Sequence, residues 1–565
     1  MSVWDVIVTK PRDKTTGQPP LVDIKLPSIM PALRTKSIVA LVALFSILWL
    51  AANYVLAARF SISGSDGVMY SLPLAFAKHP FDLGIPFLSN FEGYGSAWGH
   101  QWPGALWIKG LIFWLVPYSK LADVMVLAVF QWLVAGVAAV CVWRTTGVIW
   151  ASAAAWIILL SDRLMLNTCW GNRFETIAIA VLLILFADSL ETSSGSKTPG
   201  TRSQKMDSPR GTPWRWIVRL AAFLCPTVHP YAFALGLLII AFDLVCPLVF
   251  KGAKPRDAFW KVGCFMAGIL ATIAWFMTQP EALRQFTANL VLQKSFFSNW
   301  NTVIDGLRVN YRLGGGLLLW GAAFWAGASL AIGFQKRRNG GSVEASALRL
   351  LTPSLLLAVF AIHTVTRCEN YNYLAFGAPF AVVLICVQAA LISAKRPYPA
   401  ARHHLSGRCI PVVLALLVLS LHATIIPFRI LQFIRAGSPD LRLETAEILA
   451  GIPAGRAVYI PHILWPAAAE DRNHEIRWFT FPIASPRQLR ERYEAMAYAK
   501  AKPGDFLVID NSTASGVDKF GLKPTFNLSP PDPTRWKLSG TATHLFQGSI
   551  QWGVDLSIYE FIESE

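Results

Sequence analysis

The chain has 565 residues, of which 54% are hydrophobic and only 15% charged, and its mean hydropathy is +0.44. An average soluble protein is about 25% charged. Apolar runs of roughly 18–22 residues recur along the sequence, and each is long enough to cross a bilayer core of about 30 Å. These features exclude a soluble enzyme, a secreted disulfide scaffold and a disordered chain. They predict an α-helical polytopic membrane protein.

The positive charge is unevenly distributed. The chain carries 51 Lys and Arg against 34 Asp and Glu, a net charge of +17. Residues 438–565 hold 13 basic and 16 acidic residues, so the whole excess lies before them. Basic residues in short loops between apolar runs are a topology signal of membrane proteins. We therefore expect membrane lipids as partners, and no nucleic acid.

Eleven apolar runs are predicted to span the membrane. They cover 37–58, 121–143, 147–161, 174–190, 216–228, 231–250, 259–278, 313–334, 350–366, 373–394 and 409–427. A further run, 103–117, is short, bounded by prolines and interrupted by Lys109, so we place it at the outer interface. The inner segments then hold 24 Lys and Arg over 106 residues and the outer segments 11 over 119, as the positive-inside rule requires.

This topology divides the membrane part of the chain. Residues 1–36 form a cytoplasmic N-terminal segment, and 37–437 form the transmembrane domain. The first external loop, 59–120, is long and rich in polar residues. The segment 191–215 is basic and rich in Ser, Thr, Gly and Pro, which predicts a flexible cytoplasmic loop without a core. We expect the protein in a bacterial inner membrane, with its C-terminus in the periplasm.

Residues 438–565 are predicted to form a small α/β domain outside the membrane. The runs 455–461 and 505–510 are typical of short buried strands, and 486–501 is typical of an amphipathic helix between them. The ending 548–563 predicts a closing hairpin. A strand–helix–strand order favours an α/β domain.

Asp66 is the first candidate for a functional residue. It follows the first span by only a few residues, at the bilayer boundary. A carboxylate at that depth costs free energy unless it is solvated or has a function. It could equally cap a short helix, because Gly67 and a short amphipathic segment follow it. The residues alone leave both interpretations open.

The layout of the first external loop resembles that of the GT-C superfamily of membrane glycosyltransferases. The loop is long, has an acidic residue just after the first span, and shows the spacing D-x-x-x-Y at Asp66 and Tyr70. The run WPGALWIKGLIFWLVP is similar to the interfacial segment of such enzymes. AVYIPHIL and the later DFLVID are similar to the soluble tails of some GT-C-like families. The resemblance implies juxtamembrane helices in the first loop and a polyprenyl-phosphate-linked sugar donor.

The resemblance also implies roles for particular residues. Inverting transfer needs a carboxylate as general base and cationic or hydrogen-bonding groups on the phosphate, and Asp66 matches the position of the base. Arginine grips a phosphate in a bidentate manner, so Arg367 is the expected donor-phosphate residue. Arg308 and Arg312 are its reserves, in a loop long enough to act as a lid.

Four further residues in external segments are candidates. Glu92 and His100, in the first loop, could contact the acceptor or bind a divalent metal such as Mg²⁺ or Mn²⁺; no acidic cluster suited to these ions is obvious, and we expect no cofactor. Arg173 and Glu175 lie where the predicted second external loop, 162–173, meets the outer end of a span, and they either face the active site or form an anchoring pair worth about 0–1 kcal/mol. His229 either contacts a phosphate or caps a helix at a proline-rich turn.

The favoured function is transfer of a sugar to a lipid, glycan or protein acceptor on the external face. A glycan ligase of the cell envelope, a transporter or flippase, and a non-enzymatic receptor or assembly subunit are the alternatives. The span centres carry few ionisable residues, which argues against transport. No nucleotide-binding or zinc-protease motif is present. Cys169 and Cys368 lie on the same predicted face, where a disulfide is conceivable, but two free thiols are favoured.

Overall fold

Helices dominate the chain before residue 395. The structure, a computed structural model, describes residues 29–59, 102–117, 120–170, 174–193, 212–249, 256–278, 304, 321–331, 347–365, 371–394, 441–460, 468, 471–478, 501–510, 533–546 and 552–562. The helices in this region are α1 (Ile29–Arg59), α2 (Pro103–Leu115), α3 (Lys120–Thr146), α4 (Ile149–Ser161), α5 (Arg163–Trp170), α6 (Glu175–Ser193), α7 (Thr212–Val228), α8 (Pro230–Val249), α9 (Arg256–Thr278), α10 (Ala347–Val365) and α11 (Ala378–Ala394), with a 3-10 helix at Tyr371–Gly377. Residues 321–331 are also helical.

Four helical segments of the described chain are long and apolar enough to cross a membrane, namely Lys36–Tyr54, Leu121–Thr146, Ala258–Thr278 and Tyr373–Ala390. Each coincides with a predicted span, and the protein is an integral membrane protein. Five other predicted spans coincide with α4, α6, α7, α8 and α10. The total of eleven stays a prediction, because 409–427 and half of 313–334 lie outside the described residues.

Two of the helices are shorter than a bilayer core. The helices α2 and α4 have 13 residues each, so each is about 20 Å long, against roughly 30 Å of hydrocarbon. The helix α4 covers all but the first two residues of the predicted run 147–161, and the chain turns into α5 after Ser161. Whether α4 spans the membrane and α2 does not stays a prediction.

The centre of the bundle is formed by α6 and α11. Residues 177–187 of α6 and 378–387 of α11 are apolar around the whole helix circumference, the pattern of a helix buried on all sides. Most of their described side chains are buried, and Phe186 of α6 meets Phe380 of α11 edge to face at 5.1 Å between ring centroids. Outer helices instead expose apolar side chains, such as Ile47 on α1 and Met277 on α9, as expected of surfaces that face lipid.

The C-terminal end of α4 is held by side chains of two neighbouring helices. Trp49 of α1 donates its indole N–H to the carbonyl of Leu160 at 2.7 Å, and Gln131 of α3 donates to the carbonyl of Leu159 at 3.1 Å. The last carbonyls of a helix have no partner within it. These two bonds supply partners for α4 where its chain turns at Asp162.

A buried ion triad joins three helices at the other end of the bundle. Lys261 of α9 lies 2.6 Å from a carboxylate oxygen of Asp188 on α6 and 2.6 Å from one of Asp243 on α8. Ser189 donates to Asp243 at 2.8 Å, and Trp214 of α7 donates to Asp188 at 3.2 Å. We call the end of the bundle that holds this triad the Lys261 end. Buried charges need such partners to offset their lost hydration.

The C-terminal region contains a five-stranded mixed sheet. Its strands are β1 (Ala457–Ile460), β2 (Glu475–Trp478), β3 (Phe506–Asp510), β4 (Trp536–Phe546) and β5 (Trp552–Phe561), in the order β2-β1-β3-β5-β4. The first three strands run parallel, and β3, β5 and β4 are antiparallel neighbours. All four residues of β1 are buried, as befits a strand with neighbours on both edges.

The sheet confirms two predicted strands. The strands β1 and β3 lie within the predicted runs 455–461 and 505–510, and they pair in parallel, as a strand–helix–strand unit requires. The predicted hairpin over 548–563 is instead the single strand β5, and its antiparallel partner β4 lies before that range. The strand β2 and the helix Leu441–Ala450, here α12, were not predicted. The predicted helix 486–501 lies outside the described residues.

A histidine–aspartate pair precedes β2. His474 lies with Nδ1 2.5 Å from a carboxylate oxygen of Asp471 and with Nε2 3.0 Å from the carbonyl oxygen of Ile452. Burial lowers the pKa of His474, but both hydrogen bonds favour the imidazolium and raise the pKa above its ordinary value of 6.5. Burial raises the pKa of Asp471, but bonds from Asn473 and His474 outweigh it and lower the pKa below 3.8.

We expect this pair to make the β2 region pH-sensitive. The contribution of His474 is complete below about pH 6.5 and is lost as pH rises through its raised pKa; that of Asp471 is complete above about pH 4 and is lost in acid. Hydrogen exchange of a peptide covering 471–478 should therefore be faster in His474→Gln than in the wild type at pH 6. The free energy of opening that protects these amides should fall by up to about 1 kcal/mol. The difference should vanish well above the raised pKa. An equal difference at pH 6 and pH 9 would contradict this role.

Candidate functional site

The turn between α7 and α8 carries His229. Its Nδ1 accepts a hydrogen bond from the backbone N–H of Tyr231 at 3.1 Å, and Pro230 begins the helix. The histidine thus caps α8, one of the two roles that its sequence position allowed. An accepting Nδ1 carries no proton, so the N–H of the neutral ring is on Nε2. We call this end of the bundle, where α7 ends and α8 begins, the His229 end.

Aromatic rings surround His229. Its ring centroid lies 5.2 Å from that of Tyr373 and 5.0 Å from that of Phe376, both on the 3-10 helix, and 5.7 Å from that of Tyr231. The Tyr231 hydroxyl lies 3.4 Å from Nδ1 of His363, which is buried in the last turn of α10. These five residues form a His–Tyr cluster that joins α8, α10 and the 3-10 helix.

The chain enters α2 beside this cluster. Trp102 precedes α2, and its ring lies 6.2 Å from that of Phe233 on α8. The next turn packs so tightly on α7 that a Cβ at Gly104 would overlap the Thr227 side chain. Glycine is therefore the residue that lets α2 approach α7 this closely.

A buried ion pair joins α2 to α3 near the start of α6. Lys109 Nζ lies 2.5 Å from an Asp123 carboxylate oxygen, and neither side chain is accessible to solvent. The same ammonium lies 5.1 Å from the centroid of the Phe174 ring. The sequence showed Lys109 as an interruption of an apolar run, and the structure identifies its partner. The sequence signal for this ion pair was a lysine in one apolar segment followed by an aspartate at the start of the next.

The chain between α4 and α6 differs from its prediction. An external loop was expected over 162–173, but residues 163–170 form the helix α5, and Leu164, Met165, Leu166 and Cys169 are buried. Asp162 begins this helix, because its carboxylate accepts the backbone N–H of Met165 at 3.0 Å. The helix α5 packs against α3, α4, α6 and the 3-10 helix, and burial of these apolar side chains holds it inside the bundle.

Glu175 is buried in the first turn of α6, directly after Phe174. A carboxylate there is favoured by the partial positive charge of the helix N-terminus. Next to it, the hydroxyl of Thr176 donates to that of Thr168 on α5 at 3.0 Å. The start of α6 and the His–Tyr cluster both lie against the 3-10 helix, so Glu175 and His229 belong to the same end of the bundle.

The other candidate residues lie outside the described part of the chain. They are Asp66, Tyr70, Glu92, His100, Arg173, Arg308, Arg312 and Arg367. Their roles stay predictions. Cys169 is a buried free thiol, and Cys368 is also outside the described residues. Within the part that the structure describes, no three His, Cys, Asp or Glu side chains come together as a metal site would require.

No family model matches the sequence, and no curated protein matches it. Solved structures do. The structure of ArnT from Cupriavidus metallidurans in the apo state has a TM-score of 0.52 at 14% identity, over 92% of this chain and 98% of that chain. The same protein bound to undecaprenyl phosphate gives 0.51 at 13% identity over the same shares. An oligosaccharyltransferase from Archaeoglobus fulgidus, in complex with Zn and sulfate, gives 0.42 at 13% identity, over 92% of this chain and 72% of that one.

The alignment with each ArnT structure covers nearly the whole of this chain and nearly the whole of the ArnT chain. At this identity the likeness concerns the fold. It confirms the resemblance in fold that the layout of the first loop and of the apolar runs indicated. In fold, the chain is therefore similar to ArnT over nearly its whole length.

Proposed function

We propose that the protein is a membrane glycosyltransferase. It transfers a sugar from a polyprenyl-phosphate-linked donor to a lipid, glycan or protein acceptor on the external face of the membrane. The observation that carries this proposal is the likeness in fold to ArnT over nearly the full length of both chains, one of the two ArnT structures being bound to undecaprenyl phosphate. Fold alone does not determine chemistry, so the residues of the His229 end carry the rest of the proposal.

The chemistry needs two kinds of group. In inverting transfer, the acceptor hydroxyl attacks the anomeric carbon while the bond from that carbon to the phosphate oxygen breaks, and a carboxylate takes the hydroxyl proton. Asp66 is the proposed base. The leaving phosphate gains negative charge, which arginine guanidinium groups and neutral N–H donors stabilise. Arg367 is the proposed main phosphate residue, with Arg173, Arg308 and Arg312 as further candidates.

The chain order supports a site at the His229 end. Arg173 directly precedes Phe174, whose ring contacts Lys109. Arg367 lies in the sequence between the end of α10, which bears His363, and the start of the 3-10 helix, which bears Tyr373. The part of the first external loop that holds Asp66 leads to Trp102, whose ring lies next to that of Phe233 on α8. The segments that hold the proposed base and both arginines thus connect elements that meet at this end.

An assay of purified protein tests the function. The protein in lipid nanodiscs receives polyprenyl-phosphate-linked hexoses and pentoses, each labelled in the sugar, with a membrane extract as acceptor source. We expect release of free polyprenyl phosphate together with label in an acceptor, with inversion at the anomeric carbon. Movement of the intact donor between leaflets without cleavage would support a flippase and overturn the proposal. Transfer of preassembled chains would support a glycan ligase.

His229 allows its two roles to be separated. His229→Asn keeps a side-chain acceptor for the Tyr231 N–H, whereas His229→Ala removes it. We expect only the alanine variant to lose stability, by about 1 kcal/mol. If the Nε2 proton also bonds the donor phosphate, both variants should lose turnover by about 10- to 100-fold. Unchanged turnover in His229→Asn would leave the histidine with its capping role alone.

A further inference from the structure

Arg219 lies beside two tryptophan rings on the outer surface of α7 and α9. Its guanidinium carbon is 5.0 Å from the ring centroid of Trp216, one turn earlier on α7, and 5.0 Å from that of Trp260 on α9. A cation over an aromatic ring is attracted by the negative charge of the ring face. Both rings are more than half exposed, at 62% and 58%. We call these three residues the Arg219 site.

The Arg219 guanidinium has no acidic partner among the residues that the structure describes. Its contacts there are the two indole rings. Such contacts leave the five N–H donors of arginine able to bind an anion. Arg215, exposed and one turn earlier on the same helix, adds a second positive charge near the site. An anionic group is therefore the chemical class that this surface fits.

The level of the site along the bundle indicates a lipid headgroup. Trp260 lies near the start of α9, in the segment Ala258–Thr278 that is long and apolar enough to cross a membrane. An exposed tryptophan at the end of a spanning helix marks a membrane interface. Phe259 and Leu220, next to the site, expose apolar side chains toward the lipid. Arginine at the interface beside an apolar surface matches a phosphate above acyl chains.

The site is separate from the proposed donor site. Trp260 is followed directly by Lys261, so the Arg219 site lies at the Lys261 end of the bundle. His229 is ten residues beyond Arg219, about 15 Å farther along the axis of α7. A phosphate bound by Arg219 is thus remote from the His–Tyr cluster.

We propose that Arg219, with Arg215 beside it, binds the phosphate of an anionic glycerophospholipid at the Lys261 end of the bundle. Trp216 and Trp260 hold the guanidinium in place, so that little side-chain freedom is lost on binding. Because α7 and α9 pack side by side, one bound lipid contacts both helices. A polyprenyl phosphate and free phosphate offer the same chemical group, and the test has to distinguish them.

Native mass spectrometry of the full chain in detergent tests the proposal. The probes are dioleoylphosphatidylglycerol, dioleoylphosphatidylcholine with the same acyl chains, a polyprenyl phosphate, and inorganic phosphate. We expect Arg219→Gln to weaken binding of the phosphatidylglycerol about fivefold and to leave that of the phosphatidylcholine unchanged. Arg219→Lys keeps the charge but loses the planar group, and we expect an intermediate affinity.

The matched control is Arg144→Gln, which removes an exposed arginine in the last turn of α3. It should bind phosphatidylglycerol like the wild type. Equal losses in Arg144→Gln and Arg219→Gln would show general attraction to positive charge and overturn the site. Displacement of phosphatidylglycerol by polyprenyl phosphate or by inorganic phosphate at equal concentration would overturn the choice of ligand. Unchanged binding in a folded Arg219→Lys and Arg219→Gln would overturn the proposal altogether.

Discussion

Asp66→Asn is expected to lower turnover by about 10²–10⁴-fold while leaving the protein folded. Asparagine has nearly the same shape as aspartate but cannot accept the proton of an acceptor hydroxyl. If Asp66 is the general base, binding of the donor lipid should persist, because the phosphate is held by other groups. Turnover is measured as polyprenyl phosphate released, and donor binding by equilibrium titration.

Asp82 provides the matched control for this substitution. It lies in the same first external loop and carries no assigned role, so Asp82→Asn should retain wild-type turnover. A thermal midpoint unchanged in Asp66→Asn excludes a folding defect as the cause of lost activity. Full activity in Asp66→Asn would fit a helix cap, because asparagine caps a helix about as well as aspartate. A parallel loss of stability and activity would indicate a different structural role. Either outcome would remove the base from the proposed mechanism.

Lys109→Met is expected to cost about 3–5 kcal/mol of stability. The substitution leaves the Asp123 carboxylate fully buried without the ammonium that faces it at 2.5 Å. Removing one partner of a buried pair is costly because the remaining charge keeps its desolvation penalty. Methionine fills a similar volume, so loss of packing contributes little. The measurement is the unfolding of the purified protein in detergent, monitored by thermal denaturation and by size-exclusion chromatography.

A double-mutant cycle isolates the electrostatic part of this effect. Lys109→Met combined with Asp123→Leu removes both charges, and we expect most of the lost stability to return. Lys537→Met, which removes an exposed lysine on β4, should have almost no effect. If the double variant were less stable than Lys109→Met alone, the two side chains would contribute independently, and the pair would not be the cause.

The fold could be predicted wherever one segment carries enough signal by itself. The helix α9 begins three residues before its predicted run and ends at the same residue, Thr278, because a long apolar run bounded by charges leaves little choice. The strands β1 and β3 were predicted for a similar reason, as short apolar runs flanked by glycine, proline and charged residues. The short strand β2, with the sequence EIRW, has no such signal and depends on pairing with β1.

The features missed from the sequence depend on partners far away in the chain. The helix α5 has polar residues among apolar ones, and its burial follows from the Asp162 cap and from neighbours on α4 and α6. The sequence places Lys109 and Asp123 in neighbouring apolar segments, but whether they meet depends on the register between the two helices, which is set by packing. The His–Tyr cluster is similar: His229 was singled out at its turn, but Tyr231, His363 and Tyr373 come together only in three dimensions.

The ion triad at the Lys261 end has a consequence for biogenesis. Asp188 and Asp243 are synthesised before Lys261, so their helices leave the ribosome without the cation that compensates them in the mature bundle. A carboxylate within an inserting helix disfavours its partition into lipid. The helices α6 and α8 therefore gain their final environment only after α9 has been made. In a nascent chain arrested before residue 261, these two carboxylates would have no lysine partner. Stable insertion of α6 and α8 therefore depends on the synthesis of α9.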